Sequence, residues 1–571
     1  MSSVRYQVSG KTYYALRFMA YAFPVALYTV LSLYQLDLPG LHYDEAFEAV
    51  PALQLLQGQP VVTFRGHGLY LDGQTWPLMT QDYIGAINTY LALPFIAVLG
   101  PTPAALRIMS VLVGAVTLWL AYLLASRLTG SRWAGALTVL LLAVQPTFIF
   151  WNRQGIFVTA VTAPIGLAAA WCGLRRAQGG SWRWTAASAF WLGLGLYAKL
   201  LFVWLIAGLL GATILLNSTR FLPQNRKNIS LKFSGLKNHF YEIIAVIVAF
   251  LAGCWPLVIY NLQTGGTLLS IAQNAGKSYY GVNNLNVLSN LAERFSQFFV
   301  VLNGGQFWYL GDIWSTSLPS LALGLFLVLV VYTTTRNPIR STPSSSKTAL
   351  FPYLVIILVI LASSTGTVSA LWPTHFALLM PWPAIALSVS IWFIEPRIPH
   401  VPRITHYGLR ITLWSFIVLL IGVNLVNTLR YHHSLAESGG LSSHSDAVYK
   451  LSDWLDTHAN GPVAAMDWGL AAPVTYLTAG RVTPTEVFGY AWESDAELTA
   501  RLKSLIDQPT TLYLWHAPDE IIFDRSQEFK ALYRPLSLEE DIEAAFYERN
   551  GRPILGVTRL TPRGTAKNPP Q

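Results

Sequence analysis

Apolar runs of about 20 residues recur through the first three quarters of the chain, with polar residues gathered in the breaks between them. A bilayer core about 30 Å thick is crossed by about 20 helical residues, so each run is a candidate membrane span. The pattern predicts spans near 16–36, 104–126, 132–150, 155–174, 184–198, 200–216, 241–260, 318–334, 349–369, 375–394 and 409–428, about eleven in all. The stretch 184–216 is too long for one crossing and is divided at Lys199. From residue 431 the pattern becomes mixed polar and apolar and reads as α/β: a helix over 446–458, a strand over 462–467, a helix opening at the capping box Ser494-Asp495-Ala496-Glu497 and running to 506, a strand over 511–515, and a helix to 533. Residues 431–560 are long enough to bury their own core. The Pro-rich, polar residues 561–571 are expected to be a disordered tail. The fold class is therefore an all-α polytopic membrane domain over 1–430, followed by a smaller extracytoplasmic α/β domain.

Composition agrees: 53% of residues are hydrophobic and 12% are charged. The net charge of +9 sits mostly in short loops between apolar runs, where basic residues orient helices. No nucleic-acid-binding motif accompanies it. Cys172 and Cys254 lie inside apolar segments and suggest neither a disulfide framework nor a cysteine metal site. The first apolar run has no small-residue cleavage site and reads as a retained helix.

Basic clusters fix the expected topology. Arg127 and Arg132, then Arg175, Arg176 and Arg183, then Arg220 to Lys237, then Arg336 to Lys347, then Arg397 to Arg410 all belong in the cytoplasm by the positive-inside rule. They can do so only if one of the two runs between Asp44 and Arg127 does not cross. The run 83–99 is short and carries Asn88 and Pro94, so it is expected to lie along the outer surface. The N-terminus is then cytoplasmic and the C-terminal domain outside, in a multi-pass protein of the cytoplasmic membrane. The outer face collects loop 37–103 with Asp44, Glu45, Glu48, Arg65, His67, Asp72 and Asp82, the turn holding Arg153, Lys199, loop 261–317 with Lys277, Glu293, Arg294 and Asp312, and the turn ending at His375.

His42-Tyr43-Asp44-Glu45-Ala46 is the most informative stretch. Two adjacent carboxylates at the mouth of a membrane helix are costly to desolvate and should face a polar cavity. Asp44 is the candidate general base, taking a proton from a hydroxyl as it attacks. Glu45 orients the acceptor or, as the alternative, helps hold a divalent metal. Asp82 either serves the site or favours the start of the surface helix. Lys199 and Arg153 are candidate phosphate ligands, since a desolvated cation needs an anionic partner. Arg107 could do the same, and His375 is a further candidate. The bland readings are a solvated helix end for the acids, a snorkelling lysine, a surface-anchoring arginine and a packed histidine.

Taken together these residues resemble the GT-C superfamily of membrane glycosyltransferases, nearest to the branch of protein O-mannosyltransferases and the aminoarabinose transferase of lipid A. The likeness covers about 16–430. It rests on Asp44-Glu45 after the first helix, Asp82 ahead of the surface helix, Leu99-Gly100 followed by Arg107, Arg127-Leu128-Thr129-Gly130, the Arg153 turn, the segment from Gly193 to Lys199, and Pro373-Thr374-His375 with Pro381 and Pro383. The resemblance implies a polyprenyl-phosphate-linked sugar donor, an extracytoplasmic acceptor, Asp44 as base, and Lys199 with Arg153 on the lipid phosphate. Many relatives carry another acid a few residues after the arginine of the second outer turn; here the chain reads Ile156-Phe157-Val158-Thr159. Two other readings compete: a transporter or flippase for a lipid-linked sugar, and a non-catalytic membrane subunit with a partner-binding outer domain. Against transport, the charged groups gather on the outer face and no inverted repeat is apparent.

Overall fold

The computed structural model describes residues 10–154, 159–218, 236–277, 281–336, 351–366, 373–394, 403–490 and 497–564. The chain opens with α1 (Gly10–Leu33) and α2 (Tyr43–Leu56). Two small antiparallel ribbons follow, β1 (Gly68–Leu71) with β2 (Gln74–Pro77) and β3 (Met79–Gln81) with β4 (Ile84–Gly85). The first turns at Asp72-Gly73, both with positive φ, the backbone a two-residue hairpin turn requires. Then come α3 (Ile87–Leu99), α4 (Pro103–Thr129), α5 (Arg132–Ala143), α6 (Pro146–Gln154), α7 (Thr159–Ala177), α8 (Arg183–Ala198), α9 (Val203–Ser218), α10 (Leu236–Thr264), α11 (Gly266–Asn274), α12 (Val287–Asn303), α13 (Leu318–Arg336), α14 (Phe351–Ser363), α15 (Pro381–Ile394) and α16 (Arg403–Ser438).

Local chemistry sets the breaks. α4 starts on Thr102, whose hydroxyl accepts from the Ala105 amide at 3.3 Å, with Pro103 at its first position, and stops at left-handed Gly130. The single span expected over 132–150 is instead α5 and α6, bent by 69°. Pro146 lacks the N–H that would continue the ladder and disfavours helical backbone at Gln145. The expected span 375–394 is likewise a 3₁₀ turn, Pro373–Leu379, and α15, bent by 40°. α10 kinks at Cys254, two residues before Pro256. The division at Lys199 is present: α8 ends there, in extended backbone. Among the described residues three helices are long and apolar enough to cross a bilayer singly, Pro103–Thr129, Phe240–Thr264 and Arg410–Ser438, and five spans result if each bent pair counts once. The remaining apolar helices are shorter, so eleven crossings stay an expectation. α3 is one of these. Its 13 residues reach about 20 Å at 1.5 Å per residue, less than a bilayer core.

Arg127, in the last turn of α4, and Gln178, just after α7, meet through an Nε–H···O bond of 2.5 Å, so the C-terminal ends of these two helices share one end of the bundle.

The C-terminal α/β domain is present. It holds α17 (Ala447–His458), β5 (Val463–Ala465), α18 (Ala471–Leu477), β6 (Thr485–Glu486), α19 (Leu498–Ile506), β7 (Leu512–His516), α20 (Ser526–Tyr533), β8 (Leu538–Tyr547) and β9 (Pro553–Pro562). Its sheet runs β6-β5-β7-β9-β8, parallel across the first three strands and antiparallel across the last three. The β8–β9 hairpin was not anticipated. Its alternation is weak: most positions on β8 are half-buried. The capping-box residues Ser494, Asp495 and Ala496 lie outside the described residues, as do Ile156, Phe157, Val158 and the tail beyond 564.

The C-terminal domain packs on α2. Ala472 and Tyr476 of α18 share an apolar cluster with Tyr43, Ala46, Ala49 and Leu53. Tyr43 donates to Glu486 at 3.0 Å, and the Tyr476 hydroxyl to the Thr102 carbonyl at 3.2 Å. Gly40 donates to the His444 carbonyl at 2.8 Å, and a Cβ there would fall 2.0 Å from the Ser445 oxygen, so only glycine fits this approach.

Candidate active site

The site is organised by the first turn of α2. His42 caps it: its Nδ1 accepts from the Asp44 amide at 3.2 Å, and the Glu45 carboxylate accepts from the His42 amide at 3.4 Å. Because Nδ1 accepts, a neutral His42 carries its proton on Nε2. The next side chains diverge. Asp44 turns outward, its side chain 44% exposed. Glu45 turns inward onto Arg107 of α4, with Nε–Oε2 3.0 Å and Nη2–Oε1 2.9 Å, and neither side chain has any exposed surface. Arg107 spends its remaining donors on the carbonyls of Leu36 at 2.7 Å and Gly40 at 3.4 Å. Glu45 and Arg107 thus fasten the α1–α2 connection to α4.

Arg153, at the end of α6, is fully buried. Its guanidinium donates to the carbonyls of Ser32 at 3.2 Å, Gln35 at 2.5 Å and Tyr34, and lies over the Phe150 ring. A cation on the last carbonyls of α1 satisfies a helix C-terminus. The phosphate role expected of Arg107 and Arg153 meets guanidinium groups largely engaged, Arg107 by Glu45 and backbone carbonyls, Arg153 by backbone carbonyls through Nε and Nη2, while the buried Nη1 of Arg153 has no hydrogen-bond partner.

Asp82 forms a bidentate pair with Arg65, at 2.8 and 2.7 Å, and accepts from Tyr260 of α10 at 2.7 Å. Its carbonyl accepts from Thr267 at 2.5 Å. Burial opposes ionisation, but the Arg65 and Tyr260 hydrogen bonds outweigh it and hold the Asp82 carboxyl below the usual range. Asp82 thereby ties the loop between α2 and α3 to α10 and α11. Two residues on, Ile84 pairs with Lys199 as an isolated bridge, and the Leu200 amide donates to Tyr83 at 2.9 Å. The loop and the α8 break are thus joined at Lys199.

Lys199 is 7% exposed, and among the described residues it makes no ion pair within 4 Å. Burial pushes its ammonium down to about 8, opposed by the charges of Glu48 and Asp44. Glu48, one turn after Asp44, is buried, and burial raises its carboxyl to about 8; a hydrogen bond from Asn88 of α3 lowers it, Asp44 raises it and Lys199 lowers it. The charges of Asp44, Glu48 and Lys199 thus act on one another near the N-terminal end of α2. His375 lies on the turn Pro373–Leu379, which packs against α7 and α12. Among the described residues no group of three or more His, Cys, Asp or Glu is placed to hold a metal ion, and both Glu45 oxygens are taken by Arg107.

Three participants were not singled out from sequence: Glu48, Arg65 and Tyr260. Glu48 had a readable signal, its four-residue spacing from Asp44 on one helix face. The Arg65–Asp82–Tyr260 group had none, because its members come from separate segments.

Residues 87–232, from α3 past Lys199, match the family model described as dolichyl-phosphate-mannose-protein mannosyltransferase. No curated protein matches the chain by sequence. Among solved structures, ArnT from Cupriavidus metallidurans bound to undecaprenyl phosphate superposes with a TM-score of 0.58 at 13% identity, covering 99% of this chain and 100% of that one. The same protein in the apo state gives 0.56 at 12% identity, covering 96% and 98%. At such identity the likeness is one of fold, and it extends over the whole length of both chains. The resemblance drawn from the motifs, to the mannosyltransferase and ArnT branch of the GT-C superfamily, is supported by both comparisons.

Proposed function

We propose that this protein transfers a sugar from a polyprenyl-phosphate-linked donor to a hydroxyl-bearing acceptor on the extracytoplasmic side of the membrane. What supports the reading is a half-exposed carboxylate, Asp44, whose charge acts on a buried ammonium, Lys199, that makes no ion pair among the described residues, in a chain whose fold is like that of ArnT. Asp44 takes the proton of the acceptor hydroxyl as its oxygen attacks the anomeric carbon. A new C–O bond forms there while the bond to the phosphate oxygen breaks, its electron pair leaving with the polyprenyl phosphate. Attack opposite the leaving group inverts the anomeric carbon. The Lys199 ammonium offsets the negative charge gathering on the departing phosphate, in a site dry enough for that to count. Glu45 and Arg107 hold the turn that aims Asp44, and the Asp82–Arg65–Tyr260 group holds the loop that seats Lys199.

The test is to incubate the purified protein with a panel of polyprenyl-phosphate sugars and acceptors and measure release of free polyprenyl phosphate. Release that disappears in Asp44→Asn supports transfer; a panel that binds without turnover would favour a transporter or a scaffold.

A further inference from the structure

Glu48 is an ionisable group beside this site that the transfer step does not use. It lies one helical turn after Asp44, so both carboxyls stand on one face of α2. Its Oε2 is enclosed and has no hydrogen-bond partner. α3 packs beside it, where Thr89 donates to the Glu48 carbonyl at 2.7 Å. Asn88 of α3, Asp44 of α2, and Lys199 and Tyr197 at the end of α8 are the groups whose electrostatics act on it. The ionisable groups facing Glu48 are thus Asp44, Lys199 and Tyr197, with Asn88 and Thr89 uncharged. Were both carboxyls ionised, the single ammonium would leave this trio net negative, and an arriving phosphate would meet repulsion in a poorly solvated place. Like charges at close quarters in such a site do not all ionise.

We propose that Glu48 is a positioning residue that sets the charge of the donor-phosphate site: it holds a proton whenever the anionic lipid phosphate is seated, leaving the Lys199 ammonium free to answer the phosphate. The proposal rests on Lys199 as the phosphate ligand. Burial already favours the neutral carboxyl, and a phosphate close by favours it further, so the bound form should keep its proton to higher pH than the free form.

The test uses the full chain in lipid nanodiscs with undecaprenyl phosphate as the probe. Infrared difference spectra of the bound state should show a protonated-carboxyl band that survives to higher pH than without the probe and is missing from Glu48→Gln. Glu48→Gln should bind the probe within about threefold of wild type at neutral pH, because a neutral amide replaces a group already neutral in the complex. A bound-state spectrum lacking that band, or a band unchanged in Glu48→Gln, would overturn the proposal. So would a larger loss of binding in a variant that keeps wild-type thermal stability, since that would require a charged Glu48. Lys199→Ala separates the two readings. If it still binds the probe like wild type, the phosphate site itself is misplaced; if it binds weakly while the Glu48 results fail, only the role of Glu48 falls.

Discussion

Glu45 and Arg107, from helices far apart in sequence, close a two-pronged ion pair at 3.0 and 2.9 Å with no exposed surface on either side chain. Removing one partner of such a pair strands the other's charge in a low-dielectric interior. Glu45→Gln should therefore lower stability by about 3–5 kcal/mol, seen as a marked fall in the thermal midpoint in detergent. Replacing both residues by apolar ones of similar size should recover much of the loss. A midpoint unmoved by Glu45→Gln would mean that the pair does not hold α2.

Asp44→Asn keeps size and much of the hydrogen bonding but removes the base. Turnover should fall by about 10²–10⁴, the range for general-base catalysis, with donor affinity little changed. Wild-type turnover in this variant, on an authentic donor and acceptor, would rule Asp44 out.

Lys199→Ala should act on binding instead, because its charge meets phosphate in ground and transition states alike. The expected cost is about 1.5–3 kcal/mol, the range for hydrogen bonds to charged groups. The pH dependence follows from burial, which brings the Lys199 ammonium down to about 8. A lysine is charged below its pKa, so donor affinity should be fully present below about pH 8 and decline as pH rises through it. Titrating donor binding across that range checks the sign; affinity that rises with pH would contradict the assignment.

The topology can be read by cysteine labelling in intact cells. Both native cysteines are buried and should stay silent. Asp72→Cys in the first outer loop should react with an impermeant thiol reagent, and Arg127→Cys, at the opposite end of α4, should not. Both native residues are exposed, so access does not blur the comparison. Reaction at Arg127→Cys would make Ile87–Leu99 a crossing helix and invert every later loop.

Sequence alone determined the features that depend on local periodicity and on what a bilayer tolerates. Apolar run length located α4, α10 and α16. The length of the 184–216 stretch, too great for one crossing, located the break near Lys199. Adjacent acids after the first apolar run located the turn that presents Asp44. The change of pattern after residue 430 announced the C-terminal α/β domain. Tertiary structure decided what each charged side chain does, since that depends on the groups packed opposite it. Glu45 reads like Asp44 in sequence, yet one faces Arg107 and the other is half exposed, because neighbouring positions on a helix point about 100° apart. Arg153 reads as a phosphate fork, and in the fold the carbonyls of Ser32 in α1 and Gln35 just after it take two of its donors. Asp82 gains Arg65 and Tyr260 from other segments, and Glu48 becomes part of the site only when groups of α3 and the end of α8 act on it. Periodicity records which face of a helix is apolar; it carries no record of the helix that will lie across from it.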